Sequence, residues 1–361
     1  MSNFDLSSLA LASAFPTNKI LTDDKGLPSV MVYVPKFKMS EVISGATDSI
    51  HPAFIVNGVE IDGIYISKYQ NVAYNSRAYS LPGEDPKASI NADTARTYCE
   101  NKGNGWHMMT AMEWGAIALW CKKNGFLPYG NNNYGKDTRE TMYKAVPSYI
   151  SDADKASGYH TNRVLTGTGP KTWSHNGELD GIYDLNGNVW EWSDGMRLVY
   201  GELQILANNN AADSSNSKLD SSAAWKAIDG TTGELITPDG NGTTTNSLKL
   251  DYISSKWQWI TGTISSSSDS SRNCTFVNVS AASTVCDAAK ELLYALALLP
   301  DDTTFDYEGD YFWANNAQAE RFPGRGGGWH YGASAGVFLT NFNNARTYTA
   351  AGVGFRSAFY E

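Results

Sequence analysis

From Trp329 to Arg356 the chain carries no Lys, Glu, Gln, Asp, Met or Cys. The stretch opens on a glycine run, Gly326-Gly327-Gly328, that closes on Trp329, and it ends on Gly354-Phe355-Arg356. Apart from glycine and Arg346, the side chains between are His, Tyr, Ser, Thr, Val, Leu, Phe, Ala and Asn, spaced for neither a helix nor a simple strand. Glycines beside an aromatic let the backbone turn sharply or pass close to a packed ring. Taken by itself, the segment reads as a glycine-rich β hairpin closing a core. A sharper reading has to come from the rest of the chain.

The 361 residues are enough to bury a full core, as one large domain or two. Hydrophobic residues at 42% and charged residues at 18% describe a globular chain. A net charge of −10 with no basic patch argues against nucleic acid as a partner. The 11 Trp and 20 Tyr supply rigid contact area suited to a core or to a binding surface. No apolar run is long enough to span a bilayer. The apolar patch in MSNFDLSSLALASAF has no Lys or Arg before it, so a signal peptide is not expected. Cys99, Cys121, Cys274 and Cys286 lack metal-type spacing. Cys274 and Cys286 could pair across a loop, but free buried thiols are the blander reading.

Residues 1–27 read as an N-terminal arm, and 28–361 as the folded body. Val30 to Pro35 is a strand, and Asn57-Gly58 turns a hairpin between Phe54–Val56 and Ile61–Tyr69. Helices are predicted over 91–101, capped by Asn91 or Asp93, and over 110–123, where Thr110 and Glu113 form a capping box. Residues 135–180 are polar and loop-like. Asn186-Gly187 is a turn dipeptide feeding a strand through Val189, Trp190 and Trp192, and both tryptophans read as core. Residues 200–322 read as an insertion or a set of long loops, broken by a helix over 281–299. Asp184 and Asn186–Asn188 carry oxygens of the kind a structural Ca²⁺ takes. Turn hydrogen bonding by the same groups is the favoured reading, and no cofactor is expected.

Three phrases stand in a fixed order: Gly105-Trp-His-Met-Met-Thr-Ala-Met-Glu-Trp-Gly-Ala116, Gly181 to Trp192, and Arg325-Gly-Gly-Gly-Trp329 followed by Gly354-Phe-Arg356. Together they resemble the formylglycine-generating-enzyme-like (sulfatase-modifying) version of the C-type lectin fold. The match covers roughly 30–200 and 321–361. It implies an α+β C-type lectin (CLec) fold with a long insertion. The helices at 91–101 and 110–123 are then expected against an antiparallel sheet with strands near 187–193 and 353–359. The oxidising members of that family use a cysteine pair between the last two motifs, and no sulfur lies in 329–356 here. The iron-dependent members need a histidine cluster. His51, His107, His160, His175 and His330 include no HxxxH-type pair, and His330 reads as a contact residue. An enzyme of this family with altered chemistry is the alternative reading.

The remaining branch that the chain resembles is the variable proteins of diversity-generating retroelements, in phages and bacteria. They carry a variable region between the same two motifs, here 325–356. Adenine-directed rewriting of AAC or AAT codons never yields Lys, Glu, Gln, Met or Trp, and none of the five follows Trp329 before Arg356. The resemblance implies a non-enzymatic, receptor-recognition protein that binds a cell-surface protein or other macromolecule, from a phage tail-fibre tip or a bacterial surface, as monomer or trimer. The expected variable, ligand-facing set is His330, Tyr331, Ser334, Leu339, Thr340, Phe342, Tyr348, Ala350, Ala351 and Val353. Gly326, Gly327, Trp329, Gly336, Arg346, Gly354, Phe355 and Arg356 are expected as the scaffold beneath it.

Overall fold

A β-branched run bounded by prolines, Pro28–Pro35, is the second strand of a five-stranded sheet. The computed structural model describes residues 3–361 of the chain. The sheet runs Asn18–Thr22, Pro28–Pro35, Gly63–Ser67, Ser357–Phe359, Trp106–Met108, all antiparallel. The segment expected as an arm is therefore structured. It carries a helix, Asn3–Ala14, and then the edge strand of this sheet. That strand hides its pattern because its anchor is polar. The buried Asn18 donates to the Asp180 carbonyl (2.7 Å) and accepts from Lys68 Nζ (2.6 Å).

Asn57 and Gly58 both take positive φ, 50° and 77°, as a two-residue hairpin requires. The hairpin they close is short, Ile55–Val56 against Val59–Glu60, and the next strand leaves it for the five-stranded sheet. Helix Ala92–Glu100 starts at Asn91, whose side chain accepts from Thr94 N (2.8 Å). Helix Ala111–Lys123 starts at the reciprocal Thr110–Glu113 capping box (3.1 and 2.9 Å). Trp114 on this helix donates to the Val337 carbonyl (2.7 Å), which ties it to the C-terminal segment. Within 135–180, expected as loop, short strands Pro147–Tyr149 and Arg163–Val164 pair and a helix spans Asp152–Ala156.

A six-stranded sheet runs Arg272–Thr275, Tyr311–Ala314, Thr340–Asn344, Phe322–Arg325, Trp190–Trp192, Val353–Phe355. Here the expectation of one antiparallel sheet fails. Trp190–Trp192 and Val353–Phe355 are neighbours but run parallel, and Ser357–Phe359 belongs to the other sheet. Arg356 is the step between the two. It is fully buried and makes a bidentate pair with Glu191 (2.7 and 2.8 Å). It also donates to the carbonyls of Ser67 and Tyr183 (2.8 and 2.9 Å).

Residues 200–322 are not long loops. A seven-stranded sheet lies between Met196 and Ala281, and two further strands, Arg272–Thr275 and Tyr311–Ala314, extend the C-terminal sheet. The helix expected over 281–299 is only Asp287–Ala295. Ser280–Ala281 pairs as a strand, and Cys286 caps the helix through Sγ (3.4 Å from Ala289 N). All four cysteines are free, Cys274 and Cys286 included. Of the turn oxygens of the second phrase, Asp184 Oδ2 accepts from Gly167 N (3.2 Å) while its buried Oδ1 has no partner among the described residues, and the asparagines accept N–H groups. Asn188 Oδ1 takes Val164 N (2.9 Å) and Asn131 Nδ2 (3.1 Å), and Asn186 Oδ1 takes Asn132 Nδ2 (3.3 Å).

Gly336 is needed because a Cβ there would overlap the Asp310 carboxylate. Asp310 accepts from Phe338 N (2.8 Å), and burial pushes its carboxyl up from 3.8 to about 8. An unfolded Asp310 ionises from about pH 4, whereas the folded one holds its proton until about 8. Stability tied to this group is therefore lost as pH rises through that window. Asp310→Asn, which keeps the acceptor and removes the charge, should gain stability relative to wild type between pH 5 and pH 8, at up to about 1.4 kcal/mol per pH unit. Urea unfolding of both proteins at the two pH values measures this, and a difference independent of pH would contradict it.

Candidate functional site

The glycine run makes room for rings. Gly326 and Gly327 sit at φ 80° and 87°, where a side chain would be strained. Gly326 also accepts from Gly187 N through its carbonyl (2.9 Å), joining the second phrase to the third. A Cβ on Gly324 or Gly328 would touch the Trp190 indole at 3.4 Å, and one on Gly352 would come within 2.9 Å of the Trp329 ring. The Trp190 indole thus lies against Gly324 and Gly328, and Trp329 is wedged over Gly352.

On this floor the rings of Trp190, Trp313 and Tyr331 meet edge to face, at 4.8 Å between Trp190 and Tyr331 and 5.7 Å between Trp313 and Tyr331. Tyr311 extends the row at 4.9 Å from Trp313. Above it opens a cavity of about 270 Å³, walled by Tyr331, Asn341, Asn344, Tyr348, Ala350 and Ala351. The 131–160 segment lies beside it and meets the C-terminal segment at Trp329 and His330. Tyr134 N donates to the Trp329 carbonyl (2.8 Å), Tyr134 stacks on Tyr159 at 3.6 Å, and Tyr143 stacks on His160 at 4.0 Å. Tyr143, Tyr159 and Tyr348 are each more than two-fifths exposed. The 345–352 loop is pinned from below. Arg163, paired with Asp85, donates to the Ala351 carbonyl (2.9 Å), and Ser89 N donates to the Ala350 carbonyl (3.0 Å).

The expected ligand-facing set divides. His330 and Tyr348 are exposed, and Tyr331, Ser334, Ala350 and Ala351 are half-buried. All of these except Ser334 line the cavity. Leu339, Thr340 and Phe342 are fully buried, and Val353 is 6% exposed, so the structure contradicts their placement on the outer surface. The reason is period two in a central strand. Thr340–Asn344 lies between Tyr311–Ala314 and Phe322–Arg325, with Thr340 and Phe342 turned inward and Asn341 and Asn343 outward. Thr340 has a specific inner role, since its Oγ1 accepts from the buried Arg325 guanidinium. Val353 faces the core from a three-residue edge strand, although its surface still borders the cavity.

The residues expected as scaffold are all buried. Arg346 forms a bidentate pair with Glu320 (both 2.6 Å) and donates to the Lys218 carbonyl (2.9 Å). Arg325 has no carboxylate partner among the described residues. It donates to the carbonyls of Leu296 (2.6 Å) and Ala297, just past the C-terminus of helix Asp287–Ala295, and burial lowers its pKa to about 9. Sequence reasoning missed Asn341, Asn344 and Trp313. The two asparagines were recoverable, because an AAC or AAT codon left unchanged encodes Asn itself. Trp313 was not, because nothing local places residues 311–314 beside 340–344.

No family model and no curated protein matches the chain. Solved structures similar to it include PvdO from Pseudomonas aeruginosa (13% identity, 95% of this chain and 98% of that one, TM-score 0.38). Variable protein 1 of Treponema denticola is similar at 11% identity, over 96% of this chain and 100% of that one, TM-score 0.36. The U1 variant of the Major Tropism Determinant is similar at 11% identity, over 95% of this chain and 71% of that one, TM-score 0.30.

Trp329→Ala and Phe342→Ala should each cost roughly 3–5 kcal/mol, as buried aromatics do. Tyr348→Ser should stay within about 0.5 kcal/mol. Thermal melts of the three variants check this, and a Tyr348 variant as damaged as the other two would place that ring in the core.

Proposed function

We infer that the chain is a receptor-recognition protein. It presents diversifiable side chains around the 270 Å³ cavity on a C-type lectin scaffold of the formylglycine-generating-enzyme-like type. The supporting observation is the separation of roles within one segment. His330, Tyr331, Tyr348, Ala350, Ala351 and the asparagines Asn341 and Asn344 face the cavity, and the glycines, Trp329, Arg346 and Arg356 lie beneath. Such a face tolerates rewriting, because surface substitutions cost little when the packing beneath them is untouched. Its chemistry suits a protein ligand. Tyrosines supply large contact area at low entropic cost, and small residues and amides adapt to the partner. Trp190 and Trp313 act as fixed anchors beneath the changeable ones.

The reading is non-enzymatic. The cavity wall holds one titratable imidazole, His330, and no carboxylate, lysine or cysteine. It offers neither the thiol pair of the oxidising relatives nor an acid–base pair. No metal is required. The ligand is a cell-surface protein or another macromolecule, met from a phage tail-fibre tip or a bacterial surface. No helix among the described residues is long and apolar enough to cross a membrane.

The DNA flanking the gene tests the reading. Sequencing should find a near-copy of the coding stretch for 325–356 beside a reverse-transcriptase gene. The copy should differ at adenines, concentrated in the codons for His330, Tyr331, Tyr348, Ala350 and Ala351, and should carry the same AAC or AAT codons at Asn341 and Asn344. Differences spread equally over the codons for Leu339, Thr340 and Phe342, or no copy at all, would contradict it.

A further inference from the structure

A second, larger opening lies in the inserted sheet, away from the variable face. It is a cleft of about 550 Å³ formed where the 241–246 turn and the 261–268 loop converge on Tyr200 and Asn316. It shares no lining residue with the C-terminal cavity. The volume falls within the roughly 300–1,000 Å³ typical of small-ligand sites.

Both walls are held in place before any ligand arrives. Asp239 accepts from Asn241 N (2.8 Å), Thr243 N (3.3 Å) and Thr243 Oγ1 (2.5 Å), which fixes the turn. Asp251 accepts from Ser265 N (2.8 Å), Ser265 Oγ (2.6 Å) and Ser266 N (2.9 Å), which fixes the loop. Asn316 closes the base. It donates to the carbonyls of Leu250 and Ser266 (2.9 and 3.0 Å) and accepts from Ser268 N (3.0 Å). Gly242 packs so closely on Tyr200 that a Cβ would lie 2.5 Å from the Val199 carbonyl and 2.7 Å from Tyr200 Cβ. The Tyr200 ring stands 41% exposed at the rim.

The ionised groups around the cleft are bonded to its own walls. Lys249 is buried and donates to the Thr244 carbonyl (2.7 Å), the Ser247 carbonyl (3.2 Å) and Ser247 Oγ (2.8 Å), one acceptor for each ammonium proton. Asp239 and Asp251 are occupied by the loops they hold. These bonds leave the charges in place, and the carboxylates of Asp239 and Asp251 beside the turn and the loop disfavour a polyanion. The hydroxyls of Thr245, Thr263 and Ser267 and the Asn246 amide, by contrast, line the cleft without a hydrogen-bond partner among the described residues, and all four residues are exposed. Hydroxyls donate and accept, amides do both, and an exposed tyrosine ring offers an apolar face.

We propose that this cleft binds a neutral saccharide, with Tyr200 under a pyranose ring and Thr245, Asn246, Thr263 and Ser267 bonding its hydroxyls. Saturation-transfer NMR on the full chain tests it, using as probes the tetramer of N-acetylglucosamine, maltotetraose and a heparin tetrasaccharide. Transfer to at least one neutral probe is expected, with none to heparin. Tyr200→Ala and, independently, the near-isosteric Thr263→Val should each weaken the neutral probe's affinity by about tenfold, while Tyr348→Ser in the other cavity leaves it unchanged. Silence from both neutral probes, preference for heparin, or transfer that survives Thr263→Val and Tyr200→Ala in folded protein would overturn the proposal.

Discussion

The buried pair of Arg356 and Glu191 holds the architecture together. Its guanidinium sits where the chain passes from the six-stranded to the five-stranded sheet, and it also bonds the backbone of Ser67 and Tyr183. One side chain thereby joins the C-terminus, the strand Trp190–Trp192, the strand Gly63–Ser67 and the turn before Asp184. Gln70 adds a further bond to the same Glu191 carboxylate (3.1 Å). Two charges removed from water are tolerated only when both are paired and their remaining polar atoms are bonded. Removing one partner of such a pair typically costs about 3–5 kcal/mol. With that node fixed, the segment from Arg325 to Arg356 is held at both ends and its middle is free to carry side chains outward.

The middle is supported by a division between backbone and side chain. Glycines at 324, 328 and 352 give up side chains so that Trp190 and Trp329 can fill the space, and those rings form a floor independent of what lies above. Arg346 and Arg163 hold the 345–352 loop through carboxylates and backbone carbonyls. The cavity-facing residues then make few bonds the fold needs. The Tyr331 ring is the intermediate case, since it both closes the cavity and packs on Trp190 and Trp313.

Much of this was legible in the sequence where the signal is local. The Thr110–Glu113 box, the Asn91 cap and the Asn57-Gly58 turn are short-range chemistry and stand where the residues placed them. So do the left-handed glycines of the run at 326 and 327. What escaped depends on pairing between distant segments. Residues 272–275 and 311–314 look like parts of a polar interlude, yet 311–314 pairs with Thr340–Asn344, with 272–275 on its far side, and makes Thr340–Asn344 an inner strand whose Thr340 and Phe342 enter the core. The parallel pairing of 190–192 with 353–355 likewise needs the Arg356 node, which no local pattern reports. The edge strand Asn18–Thr22 was missed because its buried anchor, Asn18, is polar.

If one face of the 330–353 segment is free to vary and the other is not, the two faces differ in what they tolerate. Two display libraries measure it directly. One randomises His330, Tyr331, Ser334, Asn341, Tyr348, Ala350 and Ala351 together, and the other randomises Leu339, Thr340, Phe342 and Val353. After protease challenge, most members of the first library should remain intact and few of the second should survive. Equal survival of the two libraries would contradict the account.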